Sequence, residues 1–323
     1  GRGLTLSRCR ALKQAGLKAV GVSVDGPPLA HDRLRASLGS YLAAMTALEN
    51  AREAGLLTTA NTQVNRLNKD HLVETADALR GRGVAVWRAQ LTVPMGRAAD
   101  HPDWILEPYM VTEVIDTLAA IQRGALERAR AEGTALSRAF HVRLGNNLGY
   151  FGPHEQMLRS RPGGADTHWH GCQAGVYTMG IESDGKVKGC PSLPSAPYTG
   201  GNVRDLSLAE IWEHTEELRF ARDRTTDELW GRCRACYYAE TCRGGCSFTA
   251  HCTVGRRGNN PFCYYRAARL RSEGRREVLR LRERPPGEPY DFGRFEIVEE
   301  ALPAVELAGS EQRDASPSPS GVG

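Results

Sequence analysis

Four of the nine cysteines in this chain crowd into fourteen residues, CRACYYAETCRGGC at 233–246, and any fold must find a use for them. Cys9 stands alone, 162 residues pass before Cys172, and eight cysteines then fall between 172 and 263. The opening GRGLTLSRCR has no apolar segment of the secretory kind, so the expected compartment is the cytoplasm. In a reducing compartment, thiols gathered this way point to metal or redox chemistry rather than to a disulfide framework. The first residue is not Met, which suggests a piece cut from a longer polypeptide.

The spacing sharpens this. Twelve residues separate Cys172 from Gly185, and four more separate Gly185 from Cys190. GIESDGKVKGC alternates about Asp184-Gly185, a two-residue hairpin signal that would return Cys190 toward Cys172. Cys233-x2-Cys236-x5-Cys242-x3-Cys246 follows, and then Cys263 in NNPFCYYRA. A CxxC turn lets two thiolates face one metal ion or cluster. Four-thiolate zinc would use the same ligands. Seven cysteines plus one further ligand make two four-ligand sites, whereas a simple zinc ribbon leaves Cys172, Cys190 and Cys263 unused. Glycines beside the thiols (CRGGC, KGC) would let backbone N–H groups approach bridging sulfides. Iron–sulfur is favoured, with zinc left open, and Cys252 lies outside the pattern as a buried or idle thiol.

Upstream, helical and strand patterns alternate. LSRCRALKQAG, SYLAAMTALENAREAG and KDHLVETADALRGRG have helical spacing, while LKAVGVSVDG, LLTTANTQVN and VAVWRAQLTV are strand-like; a long, broken helix follows from PDWILEP. This order predicts parallel βαβ units. Only three strands are evident, which fits the second half of a larger barrel better than a small free-standing sheet. Ligands of α/β sheets gather at the carboxyl ends of strands. Those ends carry Ser23 and Asp25, Gln63 and Asn65, and Arg88 and Gln90. Turn chemistry explains any one of them equally well; three successive strand ends weigh toward a ligand site. RAARLRSEGRREVLRLRERP reads as a solvated terminal helix, and residues 285–323, ending in Ser/Pro/Gly repeats, read as largely disordered. No run of 18 apolar residues offers a membrane span, and a net charge of +4 makes nucleic acid an unlikely partner.

The order C-x12-G-x4-C, C-x2-C-x5-C-x3-C, C resembles the seven-cysteine SPASM domain of radical S-adenosylmethionine (SAM) enzymes. HGCQAGVYTMGIESDGKVKGCPS, GNVRDLSLAEIW and CYYAETCRGGC are similar to that family too. VGVSVDGPPLAHDRLR, TANTQVNRLNKDHL and VWRAQLTVPMGRA resemble the fourth, fifth and sixth units of the radical SAM barrel, so the likeness spans roughly residues 4–270. It implies an α/β chain: the C-terminal half of a partial (β/α)6 barrel at 1–150, a cysteine-rich domain with a β-hairpin and helices at 151–284, and a tail at 285–323.

The resemblance further implies two auxiliary 4Fe-4S clusters, one held by Cys172, Cys190 and Cys246, the other by Cys233, Cys236, Cys242 and Cys263. Some relatives have an eighth cysteine upstream; GGADTHWHG offers only His168 and His170. Ser23, Asp25, Asn65 and Arg88 match positions where relatives contact SAM. The implied parent is a maturase that modifies a ribosomal precursor peptide or a protein side chain by hydrogen abstraction, with flavodoxin or ferredoxin as the implied electron donor. The C-x3-C-x2-C motif that binds the SAM-cleaving cluster is missing, so this chain alone is expected to be inactive. The alternative is a non-catalytic iron–sulfur or zinc module that binds a peptide partner.

Overall fold

The computed structural model describes residues 1–288 and 291–303. Four parallel strands, β1 (Ala19–Ser23), β2 (Leu57–Val64), β3 (Val86–Leu91) and β4 (His141–Leu144), lie in that order in one sheet. The crossovers run through helices, including Ser40–Glu53, Leu72–Gly81 and Val111–Ala131. Each strand alternates. Thr58, Ala60, Thr62 and Val64 on β2, and Trp87, Ala89 and Leu91 on β3, are buried under the helices. Their neighbours form polar rows on the opposite face, where the register sets Asn61 beside Arg88, Gln63 beside Gln90, and Arg88 beside Arg143. A parallel sheet ordinarily buries both faces in apolar residues; here the second face is polar and borders a cavity.

The fourth strand was not among the three expected. It has four residues, and His141 and Arg143 interrupt its apolar positions, so periodicity alone does not expose it. The expected break in the long helix falls at two prolines: Pro102–Trp104 and Pro108–Met110 are single 3-10 turns, and a continuous helix begins at Val111. The cysteine-rich region forms a small antiparallel sheet of β5 (Gly180–Ile181), β6 (Lys186–Lys188) and β7 (Thr199–Asn202), with the hairpin turning at Asp184-Gly185 as its sequence requires. Gly185 sits at φ +89°, and a Cβ there would lie 2.6 Å from Asn202.

Two expectations for the C-terminus are corrected. The arginine-rich stretch is helical only over Tyr264–Ser272; β8 (Arg275–Glu283) follows and pairs antiparallel with β9 (Arg294–Ala301) inside the segment expected to be disordered. Its mixed charge mimics a solvated helix but serves cross-strand pairing, with Arg276 on Glu300 at 2.7 Å and Arg275 on Glu299 at 2.9 Å. Phe295 is buried, and Leu279 packs on the main core. The Ser/Pro/Gly repeats, from residue 304 onward, lie outside the described residues. Among the described residues no helix is long and apolar enough to cross a membrane.

One core serves both regions. Met45, Leu48, Leu79, Trp87, Leu118 and Val142 from the helix-covered sheet pack in the same cluster as Leu158 and the fully buried Phe262, the residue just before Cys263.

Candidate metal centres

Cys233 ends a 3-10 turn, Cys242 ends the short helix Ala239–Cys242, and Cys263 precedes the helix Tyr264–Ser272. With Cys236 they line a cavity of about 240 Å3 walled by Tyr150, Phe151, Tyr238 and Tyr265. After Cys242 the chain takes three consecutive left-handed residues, Arg243, Gly244 and Gly245. A Cβ on Gly244 would lie 2.8 Å from the Gly258 backbone, so the CRGGC glycines are needed for this tight reversal. The reversal sends Cys246 away from the first quartet, to the start of the helix Ser247–Val254.

There Cys246 meets Cys172 and Cys190, which pack together around Ala174, Tyr198 and Phe220. Burial, and after it the neighbouring Cys172, pushes the Cys246 thiol up to about 12. Burial does the same to Cys263, up to about 12, and holds Cys242 well above the ordinary thiol range. Cys233 is raised by burial too, against the pull of Arg266. A thiol in such a site ionises only when a cation takes the proton's place. Loading the sites must therefore release protons. Iron incorporation is expected to keep quickening as pH rises, without levelling off near the ordinary thiol value; a flat profile, or a plateau there, in anaerobic reconstitution would contradict buried neutral thiols as the ligands.

Among the described residues no three His, Cys, Asp or Glu side chains converge tightly enough to hold one ion. Tetrahedral zinc draws its sulfurs to within about 4 Å of one another. Thiols spread around a cavity suit a larger inorganic cluster, and aromatic walls suit its burial.

Tyr150 joins the two sets. Its hydroxyl accepts from the Cys246 N–H at 3.1 Å and donates to the Asn146 carbonyl at 2.8 Å, while its own carbonyl accepts from the Cys263 thiol at 3.7 Å. His170 shares a separate cavity of about 290 Å3 with Cys172, Arg224 and Arg243, and its ring stands 4.0 Å from that of His168. Cys252 is fully buried beside Cys246, and Cys9 lies in a separate apolar cluster with Ala51 and Leu56.

The four strand-end residues divide. Asp25 is buried, paired with Arg35 at 2.5 Å and accepting the Gln63 N–H at 2.8 Å. Asn65 is fully buried; its amide donates to the Gln63 carbonyl and Thr92, and its oxygen accepts the Leu67 N–H. Both tie strand-end loops together. Ser23 opens onto a cavity of about 530 Å3 with Gly21, His31, Arg35 and Ser40. Arg88 opens onto a different one, about 700 Å3, whose wall includes Gln63, Gln90, Asn147, Cys190 and Cys246. Sequence reasoning missed Arg35 and Arg143. Nothing in the four residues HVRL signalled Arg143, because its place is set by pairing with Arg88 across the strands.

Residues 172–237 match the family described as SPASM, an iron–sulfur cluster-binding domain. The AdoMet-dependent heme synthase of Nitratidesulfovibrio vulgaris is 27% identical over 83% of this chain and 70% of its own length. That of Oleidesulfovibrio alaskensis is 28% identical over 79% of this chain and 63% of its length. Mycofactocin maturase MftC of Mycolicibacterium smegmatis is 29% identical over 70% of this chain, which spans about half of the maturase (52%). The solved structure of native anSMEcpe with bound AdoMet superposes with a TM-score of 0.57 at 17% identity, over 82% of this chain and 68% of that one, a likeness of fold. Residues 172–237 thus carry a SPASM domain behind a four-stranded parallel sheet that shares its fold with native anSMEcpe, and the chain is similar over most of its length to AdoMet-dependent enzymes.

Proposed function

We propose that this chain supplies the substrate side and both auxiliary 4Fe-4S sites of a SAM-dependent radical enzyme. Cys233, Cys236, Cys242 and Cys263 hold one cluster; Cys172, Cys190 and Cys246 hold the other, with His170, which lines a cavity with Cys172, as the candidate for a fourth position. When bound, such clusters carry single electrons. The chain's own residues position the substrate and exclude water from the cysteine sites. Ser23 and Arg35 offer hydroxyl and guanidinium groups to SAM. No C-x3-C-x2-C triad occurs among the nine cysteines, so a chain limited to these residues cleaves no SAM. A small carrier such as flavodoxin or ferredoxin serves as the electron donor.

One observation carries the reading: Cys190 and Cys246 share a cavity wall with the strand-end side chains Arg88 and Gln90. A molecule in that cavity touches the barrel and the first cysteine set at once. A tetrapyrrole fits its size, and the heme synthases support that substrate. A ribosomal peptide is the second reading, supported by MftC. Metal-free coproporphyrin III added to the reconstituted chain should shift the EPR signal abolished by Cys190→Ser and leave the one abolished by Cys263→Ser unchanged. A shift given by a precursor peptide instead selects the second reading. If neither ligand moves either signal, the cavity is not the substrate site.

A further inference from the structure

The large cavity contains no Asp or Glu in its wall, and its only charged side chains are Arg88 and Arg143. These two are register partners on adjacent parallel strands, so both side chains rise from the same face about 5 Å apart at the backbone. Neither has an acidic partner among the described residues, although Arg10, Arg35, Arg66, Arg80 and many others do. Burial, then the charges of Arg88, Arg161 and Arg159, hold Arg143 below the ordinary guanidinium range. Two unpaired guanidinium groups kept side by side repel each other and lose hydration, a cost that an anion between them removes. Gln63, Gln90 and Asn147 add neutral hydrogen-bonding groups to the same wall.

We propose that Arg88 and Arg143 form a two-pronged clamp for a carboxylate of the substrate, in the cavity whose wall also carries Cys190 and Cys246. The word "substrate" rests on the reading above; the anion site itself does not. Guanidinium forks bind carboxylates through paired hydrogen bonds, and two forks on neighbouring strands select ligands carrying at least one accessible carboxylate. SAM also bears a carboxylate, so the test must separate the two sources.

The test titrates the reconstituted full chain with coproporphyrin III, a tetracarboxylate, and with its tetramethyl ester, following porphyrin fluorescence. The free acid is expected to bind at least tenfold tighter than the ester, and more weakly as salt rises. Arg143→Gln and Arg88→Gln should each weaken the acid about tenfold and leave the ester unchanged, while Arg143→Lys, which keeps charge but loses the fork, falls between. Unchanged thermal melting verifies that the variants fold. Equal binding of acid and ester, or wild-type affinity in Arg143→Gln, would overturn the clamp. Displacement of the porphyrin by SAM would assign the pair to the methionine carboxylate and also overturn it. Arginine-dependent binding in a chain that takes up no iron would leave the clamp standing while the radical-enzyme reading falls.

Discussion

Replacing Cys263 with serine is expected to remove about half of the iron that the reconstituted chain carries, and to leave the other half in place. Cys263 is in a different part of the chain from Cys233, Cys236 and Cys242, yet it closes the same cavity. It stands next to Phe262, which is fully buried in the sheet–helix core, and directly before the helix Tyr264–Ser272. A cluster there links the cysteine loops to the main core, so its loss should also lower the melting temperature, since cluster affinity is folding free energy in such sites. Cys246→Ser should remove the complementary half. Full iron content in Cys263→Ser, or loss of all iron in both variants, would show that the thiols do not divide into these two sets.

Gly175→Ala is expected to be as damaging as the loss of a ligand, though it touches no thiol. Gly175 sits at φ +65°, and a Cβ there would lie 1.8 Å from the Leu218 carbonyl oxygen. Its N–H donates to the Thr178 and Gly189 carbonyls at 2.9 and 3.2 Å. A Cβ on Gly189 would in turn lie 2.7 Å from the Gly175 nitrogen. These two glycines let the loop after Cys172 press on the strand before Cys190. An alanine must force the backbones apart, with left-handed strain added, for a loss on the order of 3 kcal/mol or more. The first site should lose iron while the second keeps it. A variant with wild-type melting and full iron would show that the close approach is not what brings Cys172 and Cys190 together.

How much of this was legible in the sequence depended on how local each signal was. Asp184-Gly185 encodes its own hairpin, and the alternation in LLTTANTQV and VAVWRAQL encodes two strands and their faces. β4 escaped because four residues with Arg143 in the middle are too short for a period to show. β8 and β9 escaped because arginine–glutamate pairs support a ribbon as readily as a helix, and the partner strand lies beyond a Pro/Gly break. Asp25 and Asn65 were visible as polar strand ends, but only tertiary contacts reveal that their hydrogen bonds close on Arg35, Gln63 and Thr92. The Arg88–Arg143 pair depends on inter-strand register and could not be seen before the fourth strand was.

Metal and acid-labile sulfide analysis of the anaerobically reconstituted chain bears most directly on the central assignment of the seven thiols. The assignment predicts about eight irons and about eight sulfides per chain, with no zinc. One or two zinc ions per chain without sulfide would contradict it.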